Sequence, residues 1–233
     1  MAIPIELVRD AKTEFDLTEE ADQQSLYKLT EALLALPNIS ETELIKAARV
    51  EGVPLEFRIA VKLFDSRRFL KANDQPVKVG VIFAMWGEQN RLYPKSPSNP
   101  NGEDSLRVKL DQLAWATQGT PIDWHLYAVD DGCPHGSGRI AEQIARDHPL
   151  ADKISVLFLQ DAVPAADGPL RRLKSVDDSR KGGAVILGAM QAMQDGMDVI
   201  VYTDADNSVH LGQIGLLLRP HLQHNCRVVL GNR

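Results

Sequence analysis

The first 75 residues carry apolar side chains at helical spacing. Three apolar stripes recur at intervals of three and four residues, and no segment alternates as a strand would. Ser40 with Glu43 has the form of a capping box, which satisfies backbone N–H groups at a helix start. The stripes are Leu26, Leu29 and Leu33, then Leu44, Ile45 and Ala48, and then Leu55, Ile59, Leu63 and Phe64. We therefore predict a helical N-terminal extension over residues 1–75.

From Val77 onward, short β-branched runs alternate with amphipathic stretches. The predicted strands are Val77–Ala84, Trp124–Val129, Ile154–Leu159, Val199–Thr203 and Arg227–Gly231. The predicted helices are Asp104–Thr117, Gly136–Asp147, Arg180–Gln194 and Leu211–Leu222, and the predicted loops are Leu92–Gly102 and Gln160–Asp178. Strands that alternate with helices favour a mostly parallel sheet flanked by helices on both faces. We therefore predict an α/β domain over residues 76–233.

Acidic side chains follow three of these predicted strands at their carboxyl ends. Glu88 comes shortly after the first strand, Asp130 and Asp131 end the second, and Asp204 and Asp206 follow the fourth. Ligands of open α/β sheets bind beyond the carboxyl ends of the strands. We therefore expect these carboxylates to lie together at one edge of the sheet.

Asp204 and Asp206 form an Asp-x-Asp pair directly after a buried-strand pattern. Such carboxylates suit a hard divalent cation, Mg²⁺ or Mn²⁺, which also binds diphosphate oxygens. On spacing alone, a turn or a helix N-cap before Val209 explains the pair equally well.

Two further motifs are ambiguous when each is taken alone. Asp130-Asp131 precedes a glycine, and Asp-Gly is a common turn pair, so a plain turn is the simpler interpretation. Lys181-Gly182-Gly183 opens a helix rich in small residues, and a helix N-terminus with an adjacent lysine can receive phosphate. A packing role for these glycines explains the second motif equally well.

Composition narrows the class of protein. The chain is 44% hydrophobic and 25% charged, as expected of a globular protein. Its net charge of -6 argues against a nucleic-acid partner, since such binding depends on cationic contacts to phosphate. Cys133 and Cys226 lie far apart, which speaks against a disulfide framework. The apolar runs are too short for a transmembrane segment and the N-terminus lacks a signal-peptide core, so we expect a cytoplasmic protein.

Taken in order, four motifs resemble those of the family 2 glycosyltransferases of the GT-A fold. They are Val-Asp130-Asp131-Gly, Lys181-Gly182-Gly183-Ala184, Tyr-Thr-Asp204-Ala-Asp206-Asn207 and Val-Val-Leu-Gly231-Asn-Arg233. The resemblance covers about 155 residues, from Val77 to Arg233. It implies a GT-A-like nucleotide-sugar-binding domain that serves transfer of a sugar from a UDP- or GDP-linked donor to an unidentified acceptor.

The resemblance also implies roles for the nucleotide-binding residues. Asp130 would hold the nucleotide base, and Asp131 would support the loop that carries it. Lys181 and Gly182 would lie beside the nucleotide.

The resemblance implies a metal site as well. Asp204 would face the ribose or the metal, and Asp206 would ligate the Mg²⁺ or Mn²⁺ that bridges the diphosphate. At the first strand end the family usually has a proline, an aromatic residue, an asparagine and a glutamate. Here only the aromatic residue and Glu88 are kept, which leaves the details of base recognition open.

Several alternatives accompany this hypothesis. The family's acceptor-binding half follows the strand that ends at Gly231, so we expect this chain to lack that part, and no catalytic base is assigned. A non-catalytic nucleotide-sugar-binding or interaction module is the alternative. A sugar-phosphate nucleotidylyltransferase is set aside because Met85–Arg91 lacks a glycine-rich basic loop.

Two other patterns carry little weight. His221 and His224 have no third ligand nearby to complete a metal site. Ile45–Phe64 has only a faint helix-turn-helix pattern, and its acidic charge is unfavourable for binding DNA.

Overall fold

The computed structural model describes residues 5–231, and the chain divides into two compact units. The helical unit contains the residues before Gln75, the segment Gln112–Thr120 and the residues from His210 onward. The sheet unit contains Gln75–Asp111 and Pro121–Val209. The two later segments of the helical unit lie within residues 76–233, the range predicted for the α/β domain. They group with the N-terminal helices through direct contacts: the Gln112 side chain donates to Gln23 Oε1 at 3.4 Å, and the Ser66 hydroxyl donates to the Gly212 carbonyl at 2.6 Å.

The helical unit is built on the apolar stripes that the sequence shows. Its helices are α1 (Ile5–Arg9), α2 (Glu20–Ala35), α3 (Glu41–Ala48), α4 (Leu55–Ala72) and α8 (Ile214–His224). Leu26, Leu33, Leu44 and Leu63 are fully buried in one apolar core, and burial of such side chains drives their packing. The Ser40 hydroxyl accepts a hydrogen bond from the Glu43 N–H at 3.3 Å, as the capping pattern predicts. Helix α8 packs on α4, so the late segment joins the N-terminal helices.

The sheet unit contains four parallel strands in the order β3-β2-β1-β4. The strands are β1 (Val77–Met85), β2 (Ile122–Asp130), β3 (Ile154–Phe158) and β4 (Val199–Tyr202). The helices that follow strands in the chain are α5 (Ser105–Thr117), α6 (Ser137–Asp147) and α7 (Gly182–Gln194). The division between the units falls within α5. The predicted α/β class, with a parallel sheet flanked by helices, is confirmed.

Two helices cover opposite faces of this sheet. Helix α7 packs against Tyr127 and Val129 of β2, whereas Gly138 of α6 lies against Asp130 of β2 and Phe158 of β3. Since successive strand residues point to opposite faces, α6 and α7 lie on opposite sides. Strand β1 is almost wholly buried, as a central parallel strand should be.

The order in which successive strands are added to the sheet reverses between β3 and β4, although all four strands are parallel. The first three strands are added outward from β1, and β4 then pairs with the other side of β1. Such a reversal opens a crevice at the carboxyl ends of the two strands that flank it, here β1 and β4. Strand β4 forms one edge of the sheet, and its Ile200 and Tyr202 are 38% and 41% exposed.

The prediction of a fifth strand at Arg227–Gly231 is wrong. This segment is irregular, and Val228 and Leu230 are 77% and 86% exposed. Its β-branched composition suits a strand, but a strand forms only where a neighbouring edge supplies hydrogen bonds, and composition does not specify that partner. Asn232 and Arg233, the end of the fourth motif, lie outside the described residues.

The longest helix, α4, has 18 residues and carries charged side chains along its length. Within residues 5–231, no helix has the length and apolar character needed to cross a bilayer.

A matched pair of glycines tests the packing of α7. A Cβ on Gly188 would lie 2.7 Å from Ile82 Cγ2, whereas a Cβ on Gly182 would have no neighbour within 4 Å. We expect Gly188→Ala to lower the free energy of unfolding by about 1–2 kcal/mol, because overpacking outweighs the gain in helix propensity. Gly182→Ala should leave the free energy of unfolding unchanged or raise it slightly. Urea denaturation of both variants measures the difference, and equal stabilities would contradict this packing.

Candidate functional site

A cavity of about 640 Å³ opens at the carboxyl ends of β1 and β4. Its polar and aromatic lining consists of Trp86, Glu88, Asp131, Asp177, Arg180, Lys181, Asp204 and Asp206. The cavity therefore brings together five residues that the sequence singled out, contributed by loops after β1, β2 and β4 and by the start of α7. Its volume lies in the range of small-molecule sites.

Asp130 lies beside the cavity lining and organises the turn after β2. One carboxylate oxygen accepts hydrogen bonds from the Gly132 and Cys133 N–H groups, both at 3.0 Å. The other accepts from the Gly138 N–H at 2.8 Å, in the first turn of α6. The side chain is buried, and backbone donors engage both of its oxygens. A contact between Asp130 and a nucleotide base stays a prediction.

Asp131 lines the cavity and joins three segments of chain. Its N–H donates to the Met85 carbonyl at 2.9 Å, which ties the end of β1 to the turn after β2. Its carboxylate accepts from the Ser179 hydroxyl and from the Lys181 N–H, the latter at 2.6 Å. Arg180 and Lys181 have φ values of +44° and +80°, which most residues avoid. Asp131 thus helps to hold the strained entry to α7.

Gly182 and Gly183 begin α7, and only one of them is constrained by its neighbours. A Cβ on Gly183 would lie 2.7 Å from Ser179 Oγ, which accepts a hydrogen bond from the Gly183 N–H. Gly182 has open space beside it and follows Lys181 of the cavity lining. Close packing therefore explains the glycine at position 183, but it does not explain the glycine at position 182.

Lys109 lies beneath the loop that carries the Asp-x-Asp pair. Its ammonium donates to the Asp206 carbonyl at 2.6 Å and to Asn207 Oδ1 at 3.4 Å. The side chain is fully buried, so desolvation lowers the pKa of Lys109 to about 8, against the opposing effect of nearby carboxylates such as Asp206 and Glu103. A buried cation therefore offsets the negative charge of the loop above it.

A chain of charged side chains extends from this loop to the end of β1. The Asn207 N–H donates to one oxygen of Glu103 at 2.7 Å, and Arg91 Nε donates to the other at 3.0 Å. Arg91 also donates to Glu88 at 2.8 Å. Both carboxylates are largely buried, and Arg91 positions Glu88 at the cavity wall.

Asp204 is paired with a cation from α7. Lys181 Nζ lies 2.5 Å from Asp204 Oδ1, and the Tyr202 hydroxyl donates to the same oxygen at 2.9 Å. The Lys181 ammonium also lies 5.3 Å from the centre of the Tyr202 ring. The hydrogen bond to Asp204 raises the pKa of Lys181, so the ammonium is retained.

Asp206 keeps its charge in the folded chain. Although burial raises the pKa of its carboxyl, hydrogen bonds from Ser208 and the charge of Lys109 bring it below the usual value. The Ser208 N–H donates to Asp206 Oδ1 at 3.1 Å. An ionised carboxylate at the cavity wall is a suitable ligand for a hard cation.

The carboxylates at the cavity wall are the candidate ligands for a magnesium-type ion that would be shared with a bound molecule. No cluster of three or more acidic, histidine or cysteine ligands occurs among residues 5–231. Mg²⁺ in phosphate-transfer sites commonly uses one or two carboxylates and completes its shell with phosphate oxygens and water. Asp204 and Asp206 supply that smaller set, and both line the cavity.

Trp86 offers a flat apolar surface at the cavity mouth. It follows β1 directly and is 60% exposed, and its ring meets the His135 ring edge-on with the ring centres 6.4 Å apart. The neighbouring Gly87 has a φ of +76°, which turns the chain sharply after Trp86. An exposed indole at a strand end can stack on a planar ligand.

Sequence reasoning missed several residues of this site. Lys109, Glu103, Arg91, Asp177 and Arg180 gave no motif. Lys109 and Glu103 bond to residues about a hundred positions away in the chain, Asp177 lies in a segment predicted as a loop, and Arg91 and Arg180 belong to no recognisable pattern. The adjacency of Arg180 to Lys181-Gly182-Gly183 was the one available signal. The two α8 histidines lie outside the cavity lining, and Gly231 lies in an irregular segment.

Comparison of the chain with protein-family models, with curated proteins and with solved structures finds no match. A function is therefore inferred from the chemistry of the cavity.

The burial of Lys109 predicts a stability that depends on pH. The folded chain releases this proton near pH 8, whereas the unfolded chain keeps it up to the ordinary pKa of 10.5. Between these values the unfolded state binds more protons, so the free energy of unfolding rises with pH. For this group the rise is about 2 kcal/mol between about pH 7 and about pH 10.

Lys109→Met keeps the length of the side chain but removes this titration. We expect the free energy of unfolding of the wild type, measured relative to Lys109→Met, to increase by about 2 kcal/mol over that pH range in urea denaturation. Because the other titratable groups are the same in the two proteins, their contributions to the pH dependence cancel in this comparison. Parallel pH profiles for the two proteins would contradict a buried ammonium at this position.

Proposed function

We propose that this chain is the donor-binding part of a metal-assisted glycosyltransferase with a GT-A-like fold, and that its ligand is a nucleoside-diphosphate sugar linked to UDP or GDP. One observation carries the proposal: the cavity where the chain reverses across the sheet combines Asp204 and Asp206 with Lys181 and an exposed Trp86. Carboxylates, a cation and an aromatic face match the needs of a metal-bound diphosphate joined to a planar base.

The base and the diphosphate of such a ligand would each have a counterpart in the cavity. Trp86 would stack on the base, and Asp131 fixes the turn beside it. Lys181 and Arg180 stand at the start of α7, where a helix N-terminus and two cations favour phosphate. The bound diphosphate would therefore lie between α7 and the acidic loop.

Asp206 and Asp204 would hold the metal ion. When bound, Mg²⁺ or Mn²⁺ would supply a Lewis acid for the departing nucleoside diphosphate. Lys109 fixes the backbone of the acidic loop through the Asp206 carbonyl, and Glu103 fixes it through the Asn207 N–H. The chain's own contribution is thus to orient the carboxylates before the ligand arrives.

A second candidate is a nucleotide-sugar-binding module without catalysis. The hydrogen bonding of the carboxylates at the cavity wall favours it. Glu88 is bonded to Arg91, Asp131 to Ser179 and the Lys181 N–H, and Asp204 to Lys181 and Tyr202. Carboxylates held in this way suit binding and orientation better than acceptance of a proton from an acceptor hydroxyl.

Calorimetric titration of UDP and of GDP, with and without Mn²⁺, tests the donor site. We expect one nucleotide to bind in a metal-dependent manner, and Asp206→Asn to weaken that binding about tenfold or more because a metal ligand is lost. Asp152→Asn is the matched control, since Asp152 is exposed and lies two residues before the start of β3, at the sheet end opposite the cavity. Failure of both nucleotides to bind in the presence of Mn²⁺ would refute the proposal.

Turnover separates the two candidates. UDP-glucose and GDP-mannose serve as probes, and release of free nucleoside diphosphate is measured with Mn²⁺ present. A transferase releases the diphosphate slowly even to water, and Asp206→Asn abolishes the release while Asp152→Asn does not. Metal-dependent binding without any release would favour the binding module.

A further inference from the structure

Two donors converge on one oxygen of Asp204. The Lys181 ammonium and the Tyr202 hydroxyl both bond to Oδ1, at 2.5 Å and 2.9 Å. Lys181 and Asp204 both line the cavity, and their side chains are 53% and 39% exposed. The pair therefore stands at the place where a metal-bound diphosphate is proposed to enter.

The backbone of Lys181 is fixed, whereas its ammonium is able to move. The N–H is held by Asp131 at 2.6 Å at the entry to α7. The ammonium sits at the end of a four-carbon stem and lies against solvent, so it can leave Asp204 without any change in the fold. An ion pair this exposed contributes little stability, and its rupture costs little.

We propose that Lys181 is an intramolecular counter-cation that competes with a divalent cation for Asp204, an inference that rests on the proposed function for its choice of ligand. An ammonium and a divalent cation repel each other, and both would bind the same carboxylate. Lys181 therefore weakens metal binding while the diphosphate is absent. Once displaced, its ammonium would remain within reach of the start of α7, where phosphate oxygens would accept its hydrogen bonds.

This exchange would couple the two ligands. A diphosphate that draws Lys181 away from Asp204 makes the carboxylate available to the metal, and by thermodynamic linkage the metal strengthens diphosphate binding equally. The cavity would thus favour the metal–diphosphate complex over either component alone.

The test is a titration of Mn²⁺ alone, with free Mn²⁺ followed by electron paramagnetic resonance. We expect Lys181→Met to bind Mn²⁺ about fivefold more tightly than the wild type, the size expected for loss of a partly exposed ion pair. Lys181→Arg keeps the positive charge and should bind close to the wild type. The inference is overturned if Lys181→Met binds no more tightly than the wild type, or if none of the proteins binds Mn²⁺.

Two controls assign the effect to Asp204. Adding Asp204→Asn to Lys181→Met should remove the gain, and a gain that persists would show that Mn²⁺ uses other ligands and would overturn the inference. Lys62→Met removes an exposed charge on α4 and should bind as the wild type does, which excludes an effect of net charge. Circular dichroism verifies that each variant is folded.

The titration contains no nucleotide, so its outcome is separable from that of the proposed function. If Lys181→Met binds Mn²⁺ more tightly but neither UDP nor GDP binds, the donor site is refuted. The competition between Lys181 and Mn²⁺ for Asp204 is then still supported. Binding of a nucleotide without any tightening would refute the exchange alone.

Discussion

The loops at the carboxyl edge of the sheet depend on a balance of opposed charges. Several carboxylates converge there, and like charges held close together repel. Among them are Glu88, Glu103, Asp131, Asp204 and Asp206. Lys109 offsets them from below, Arg91 bridges two of them and Lys181 pairs with a third. The loop conformations follow from this arrangement, because Arg91 fixes the two carboxylates it meets and Lys109 fixes the backbone of the acidic loop.

The balance divides the site into a rigid part and a movable part. Arg91 bridges two largely buried carboxylates, and the buried Lys109 bonds to the backbone of Asp206 and to the side chain of Asn207. Lys181 instead meets Asp204 in the open cavity. A buried charge is costly to uncouple, whereas an exposed pair is readily exchanged. The cavity therefore keeps its shape while one of its ion pairs remains available to an incoming ligand.

Local pattern predicted much of this fold and only part of the site. The parallel strands and their helices follow from β-branched runs and amphipathic spacing, but Val228 and Leu230 carry the same signal in a segment that finds no strand partner. Asp130 and Asp131 are adjacent in sequence, and only the pairing of β2 with β1, which brings Asp130 opposite Met85, determines which of them lines the cavity. The position of Lys109 is a tertiary property, since its partners lie about a hundred residues away in the chain.

Strand β4 ends the sheet with a row of backbone donors and acceptors that have a strand neighbour on one side only. Ile200 and Tyr202 leave part of their apolar surface beside that row, and Met193 of α7 is 61% exposed. Sheet edges are where strands of separate molecules pair when they aggregate. The strand that carries the acidic loop is thus also an edge at which Ile200→Lys would disfavour self-association.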